Sequence, residues 1–283
     1  MNSDVHGANS SAGTLGDVES SEGRRSEILQ RFESLLRAGA DLPLDEAFLT
    51  ASAFLKTRTA RRSTRSSPSS PELRHRQSDA RVESSDPRDI IDHLVHLDEL
   101  ASEISSPTFE GIARHLFTGE SRFRGNNEDY YDPANSYLDE VLLRKTGIPI
   151  TLSVVTIEVA RRLGVRMSGV GMPGHFLVGS YAPIGKIPDR FIDPFHGGVV
   201  LDVDGCRRLF ERVTGSSSTF DIRFLASLHP IAIVDRALGN LKGVFAAAER
   251  LPELRSIMTL RSRLPGFSVT EREEFRRLMA PLN

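Results

Sequence analysis

Residues 146–164 read TGIPITLSVVTIEVARRLG, and this stretch decides the fold. Pro149 suits the first position of a helix, where its missing N–H would be unpaired in any case. Behind it, Ile150, Leu152, Val154, Val155, Ile157 and Val159 are apolar on nearly every side, and charge appears only at Glu158, Arg161 and Arg162. A helix that is apolar all round belongs in the middle of a domain rather than on its surface. Gly164 ends it. The spacing predicts a buried central helix over 150–163.

Working outward, the period changes from helical to two. Short strands are expected near 167–172, 176–181, 190–193 and 199–201, separated by turns that contain proline and glycine. The turn PIGKIPD makes the second and third strands an antiparallel hairpin, and Tyr181 opposite Arg190 is the natural register. After Asp204 a helix returns, with Val203, Cys206, Phe210 and Val213 on one face. From Pro230 the chain is helical to its end. On the N-terminal side, Ile90, Ile91, Leu94, Leu97 and Ala101 recur at helical spacing, as do Ile28, Leu29, Phe32, Leu35 and Leu36 further upstream. Pro43 opens a helix carrying Leu44, Phe48 and Leu55. One central helix followed by an antiparallel sheet and flanked by helices is an α+β arrangement.

The organisation that follows has five parts. Residues 1–24 lack an apolar stripe and are expected to be disordered. N-terminal helices occupy 25–55. A basic, Ser/Pro-rich stretch at 56–86 reads as a flexible insertion; within 56–81 it holds eight lysines and arginines against Glu72 and Asp79. The central domain covers 87–228, and a helical tail covers 229–283.

Composition narrows the function. A net charge of -2 argues against a nucleic-acid-binding protein or a membrane-surface protein, and no run of apolar residues is long enough to span a bilayer. One cysteine, Cys206, excludes a disulfide framework within the chain and any multi-cysteine metal site. The N-terminus has no hydrophobic signal core, so the chain reads as cytoplasmic.

Three positions fall in the order helix start, His175, Asp193. His175 lies in MPGHFLV and Asp193 in RFIDPF, on neighbouring strands. A carboxylate beside an imidazole fixes its tautomer and supports it as a base. A purely structural reading competes at each position. His175 could be a hydrogen-bonded core histidine, and Asp193 could bond the backbone of its own Asp-Pro turn. Ser153 lies one turn inside the helix from Pro149 and would complete a Ser153–His175–Asp193 hydrolase, although a mid-helix serine commonly bonds its preceding carbonyl. Cys206 shares its face with Val203 and Phe210 and reads as a small buried residue. His196, in FHGG, could join His175 and Asp193 as a two-histidine, one-carboxylate set. No metal or cofactor is assigned. Asn135 and Tyr131, in the turn-rich YYDPANS loop, are candidates for the cleft beside His196.

The phrases YYDPANSYLDEVLLRKTGIPITLSVVTIEVARRLGV, GVGMPGHFLV and FIDPFHGG together resemble the bacterial SirB-one family of the transglutaminase-like superfamily. The tail phrase RALGNLKGVF is similar to that family's junction into a tetratricopeptide-like helical tail. The resemblance implies a papain-like core of a central helix on an antiparallel sheet. It also implies a Gly-x-Cys nucleophile at the helix start, followed by His and Asp. Here Gly147-Ile148-Pro149 occupies the nucleophile's place, so only His175 and Asp193 match. The expected protein is a degenerate module that binds a protein or peptide partner. The competing reading is a hydrolase or acyltransferase using Ser153. Oligomeric state is not legible.

Overall fold

The computed structural model describes residues 12–63, 87–119, 122–215 and 218–280. Two helices open the chain, α1 (Ala12–Leu36) and α2 (Leu44–Ser63), joined through a single 3-10 turn at Gly39–Asp41. Helices α3 (Pro87–Ser102) and α4 (Phe109–Phe117) follow, then a two-residue strand β1 (Arg124–Gly125). Helix α5 (Leu138–Arg144) leads to β2 (Thr146–Gly147), which pairs in parallel with β1. The central helix α6 runs Pro149–Arg162. Four strands come next, β3 (Met167–Val170), β4 (Leu177–Ser180), β5 (Phe191–Asp193) and β6 (Val199–Leu201), all antiparallel and in that order. Helices α7 (Val203–Thr214), α8 (Pro230–Ala247), α9 (Leu251–Arg261) and α10 (Val269–Met279) complete the chain. This is the expected α+β fold.

Every residue of α6 from Pro149 to Ala160 is buried. One face of the sheet, carrying Phe176, Val178 and Ile192, joins α6 in the main core. The opposite face, carrying Val170, Leu177 and Phe191, closes on Cys206, Leu209 and Phe210 of α7. The sheet is therefore covered on both sides, which explains why its short strands lack polar alternation.

The register differs from the sequence expectation by one residue. Gly179 pairs with Phe191 and Val178 with Ile192, which brings Ser180, not Tyr181, opposite Arg190. That single step matters because a one-residue slip reverses which face every side chain points to. Extended one turn outward, the observed pairing sets His175 opposite Phe195, so Asp193 is its diagonal neighbour on the same face. The expected register would have put the two on opposite faces.

Two boundaries also move. Helix α1 begins at Ala12, so residues 12–24, expected to be disordered, are helical; residues 1–11 lie outside the described residues. Extending an existing helix needs far less free energy than starting one, and α1 is already anchored by buried Ile28, Phe32 and Leu36. Helix α2 likewise continues through Ser63, into the stretch expected to be a flexible insertion. Lys56 there forms ion pairs with Asp139 and Glu140 of α5. The remainder of that insertion, 64–86, lies outside the described residues. One apolar core takes in residues from Ile28 in α1 to Leu264 beyond α9, so the helices on both sides of residue 228 share it. No helix among the described residues is long and apolar enough to cross a membrane.

Candidate functional site

His175 is delivered by a turn. Its N–H bonds the carbonyl of Met172 at 3.0 Å, Pro173 takes the second position, and Gly174 the third with φ +74°. These are the requirements of a type II turn, whose third residue must have positive φ. The guanidinium of Arg236, from α8, locks this turn by donating to the carbonyls of Gly171, Met172 and His175 at 2.7–2.8 Å.

Asp193 ends β5 and organises the turn after it. Its Oδ1 accepts from the backbone N–H of Phe195 at 3.2 Å and of His196 at 3.3 Å. The same oxygen bonds Nε2 of His175 at 2.8 Å, while Oδ2 bonds Nδ1 of His196 at 2.7 Å. The catalytic and structural readings of Asp193 thus describe one arrangement, not two alternatives. Burial pushes its carboxyl up, but the hydrogen bonds from both histidines outweigh that and hold it well below the usual carboxylate range. The bond to Asp193 conversely holds half-exposed His196 above the ordinary histidine range.

With Nε2 engaged by Asp193, the Nδ1 atom of His175 has no hydrogen-bond partner among the described residues. It is the nitrogen that a neighbouring nucleophile would use. His175 is nevertheless only 5% exposed, and Phe195 packs edge-on against it. The same ring meets Tyr130 and His196 edge-on. It is seated over Gly125, where an added Cβ would come within 2.5 Å of it. Gly125 pairs with Gly147, two residues before Pro149. Phe195 therefore lies between the Gly125–Gly147 pair and the His175 ring.

No cysteine stands at the helix start. Pro149 is the first residue of α6, and Thr151 secures the turn by accepting from the Ile148 N–H and donating to the Asn135 carbonyl. Ser153, fully buried, donates to the Pro149 carbonyl at 2.8 Å and makes no bond to His175. The expectation of a Ser153 triad does not match this placement. Cys206 is buried on α7, and burial together with Asp193 and Asp202 pushes its thiol up to about 12, which suppresses the thiolate.

The remaining sequence candidates separate. Asn135 does not line a cleft: it is buried, and its amide bonds the carbonyls of Asp129 and Tyr130 and the side chains of Asn126 and Arg144. Tyr131 is 73% exposed and lines an apolar groove against α8, apart from His196. His196 and Asp193 open onto a cleft bounded by β6 and α7. One ligand atom each from His175, Asp193 and His196 lies within 4.8 Å of the others, so these three could close on a divalent ion. The Asp193–histidine bonds satisfy the carboxylate without one.

The family model for the transglutaminase-like superfamily matches residues 81–239. The chain belongs to this superfamily. Over 142 residues it is 40% identical to a UPF0162 protein of Xylella fastidiosa, with 49% of each chain covered. A UPF0162 protein of Pseudomonas aeruginosa is 32% identical over 166 residues, covering 55% of this chain and 58% of that one. F-box only protein 21 of Mus musculus is 38% identical over 144 residues, covering 49% of this chain but 22% of that protein. The chain spans about half the length of the UPF0162 relatives it matches. No solved structure matches it.

The transglutaminase-like core also has three features that sequence reading missed. Arg236 lies 61 residues from the turn it locks, so no local spacing announces it. Arg208 and Arg212 face the cleft beside His196, and in the sequence they look like any solvated face of an amphipathic helix. Phe195 was visible inside FIDPFHGG, but only the fold reveals that it covers His175.

Proposed function

We propose that this chain is a transglutaminase-like module without a nucleophile, serving as a protein- or peptide-binding, regulatory domain in the manner of the SirB-one family, with α8–α10 as its helical tail. The observation that carries the reading is the helix start. Pro149 stands where a thiol would be needed, and the nearest hydroxyl along the helix face, Ser153, is tied to the carbonyl of Pro149 itself. An imidazole–carboxylate pair without a side-chain nucleophile cannot form a covalent acyl-enzyme. The cover of Phe195 over His175 supports the same conclusion. That the matched region is a minor part of F-box only protein 21 is consistent with a domain used as a unit within longer chains. The transglutaminase-like part we assign is 87–228, sharing its core with the flanking helices, with His175 and Asp193 as retained members of a former triad, and the protein we assign is cytoplasmic.

Purified protein treated with serine- and cysteine-directed acylating probes tests this. Complete silence is expected. Covalent labelling at Ser153 or Cys206 would establish an enzyme and sink the proposal.

A further inference from the structure

Beside Asp193 and His196 the molecule holds an open cleft of about 990 Å³ between β6 and α7. Two arginines one helical turn apart on α7, Arg208 and Arg212, face into it. Neither forms a hydrogen bond or an ion pair among the described residues. Glu211 and the Asp193 carboxylate balance their charge, but both Asp193 oxygens are taken by the two histidines. The two guanidiniums are therefore the N–H donors that the cleft leaves open to an incoming acceptor. Guanidinium groups so arranged are suited to carboxylates, which they bind through paired N–H donors.

The second wall says what carries the carboxylates. Strand β6 is the edge of its sheet, and its exposed Val199 lines the cleft with Leu201. An unpaired edge offers backbone N–H and C=O groups to an extended chain, with apolar side chains providing further contact. A cleft of this volume is far larger than a single small anion needs.

We infer that the cleft between β6 and α7 is a docking site for an extended, acidic peptide segment of a protein partner, whose carboxylates pair with Arg208 and Arg212 while its backbone runs along β6. This deepens the binding-module reading and rests on it.

The test is fluorescence anisotropy of the full chain with two labelled, C-terminally amidated octapeptides, one alternating glutamate with valine and the other alternating glutamine with valine. The glutamate peptide should bind at least about tenfold more tightly at low salt, the scale of paired charge-assisted bonds. The double variant Arg208→Gln, Arg212→Gln should lose that preference. Arg207→Gln, which removes a charge of the same helix that pairs with Asp204 outside the cleft, should retain it. Melting curves of the variants confirm that they remain folded, as expected for exposed side chains. Absence of binding, equal affinity for the two peptides, or a preference that survives in the double variant would overturn the inference. So would displacement of the peptide by low millimolar inorganic phosphate, which would make the cleft a simple anion site. Equal affinity would leave the binding-module reading standing, whereas covalent probe labelling would remove that reading whatever the peptides do.

Discussion

At the scale of single residues, the chemistry of the site turns on Pro149. A thiol there would sit at a helix N-terminus, whose partial positive charge favours the thiolate, in the position that the triad alignment sets toward His175. Pro149→Cys should therefore react with iodoacetamide near neutral pH faster than Cys206, whose own thiol is buried and pushed up to about 12. The advantage should vanish when His175 is also changed to alanine. Mass spectrometry of the alkylated sites checks both points, and a thiol at 149 that ignores His175 would break the triad alignment. Arg236 is the residue that holds His175 in place. Replacing it by glutamine leaves three inward carbonyls without their charged donor, and should cost about 2 to 4 kcal/mol in urea unfolding. Arg236→Lys should recover only part of this, because an ammonium lacks the planar fork that spans separate carbonyls. Full recovery by lysine would show that charge alone matters.

At the scale of elements, α6 is joined to the N-terminal helices by a buried ionic cluster. Glu158, 2% exposed, accepts from the Leu44 N–H at the start of α2 and pairs with Arg161 and Arg162 beside Asp45. Burial and the Asp45 carboxylate outweigh the arginines and push Glu158 up to about 7. A carboxyl raised in the folded state binds its proton more tightly there than in the unfolded chain. Its contribution to stability is therefore complete below about pH 4.5 and is lost as pH rises through about 7. Asp193 has the opposite sign: its contribution is present above about pH 3.8 and is lost on acidification below it. Denaturant midpoints measured from pH 3 to 8 should fall on both sides of a maximum. Glu158→Gln should flatten the neutral limb alone and Asp193→Asn the acid limb alone. A neutral limb unchanged in Glu158→Gln would mean that this cluster is not the titrating group.

At the scale of the whole molecule, the helical tail is part of the core. Helix α9 buries Leu254, Ile257 and Leu260, and α8 buries Ile233, Val234, Leu238 and Leu241, in the cluster that also holds α2 and α6; Met258 of α9 is buried as well. Burying one such side chain is worth about 1.5 to 3 kcal/mol, so the four of α9 rival the ~5 to 15 kcal/mol that stabilises an entire domain. Deleting residues 251–283 should therefore abolish the cooperative thermal transition rather than release an intact central domain. A truncated chain that melts at the temperature of the full chain would show that the tail is an independent appendage.

What the amino-acid sequence determined by itself is the order of elements and the proline at the start of the central helix. An apolar helix of one length, proline at its first turn, and strands bounded by glycine and proline are local properties, written in consecutive residues. The His175–Asp193 pairing was legible as a possibility for the same reason, since one short hairpin joins them. The tertiary structure decided the rest. It set the one-residue register that puts His175 and Asp193 on the same face, because pairing follows from the packing of both sheet faces and not from the turn alone. It brought Arg236 to the His175 turn across 61 residues, seated Phe195 over Gly125, tied Ser153 to its own helix, and turned Arg208 and Arg212 toward His196. Most of these are relations between side chains far apart in the chain, and only the shared core decides which of them meet.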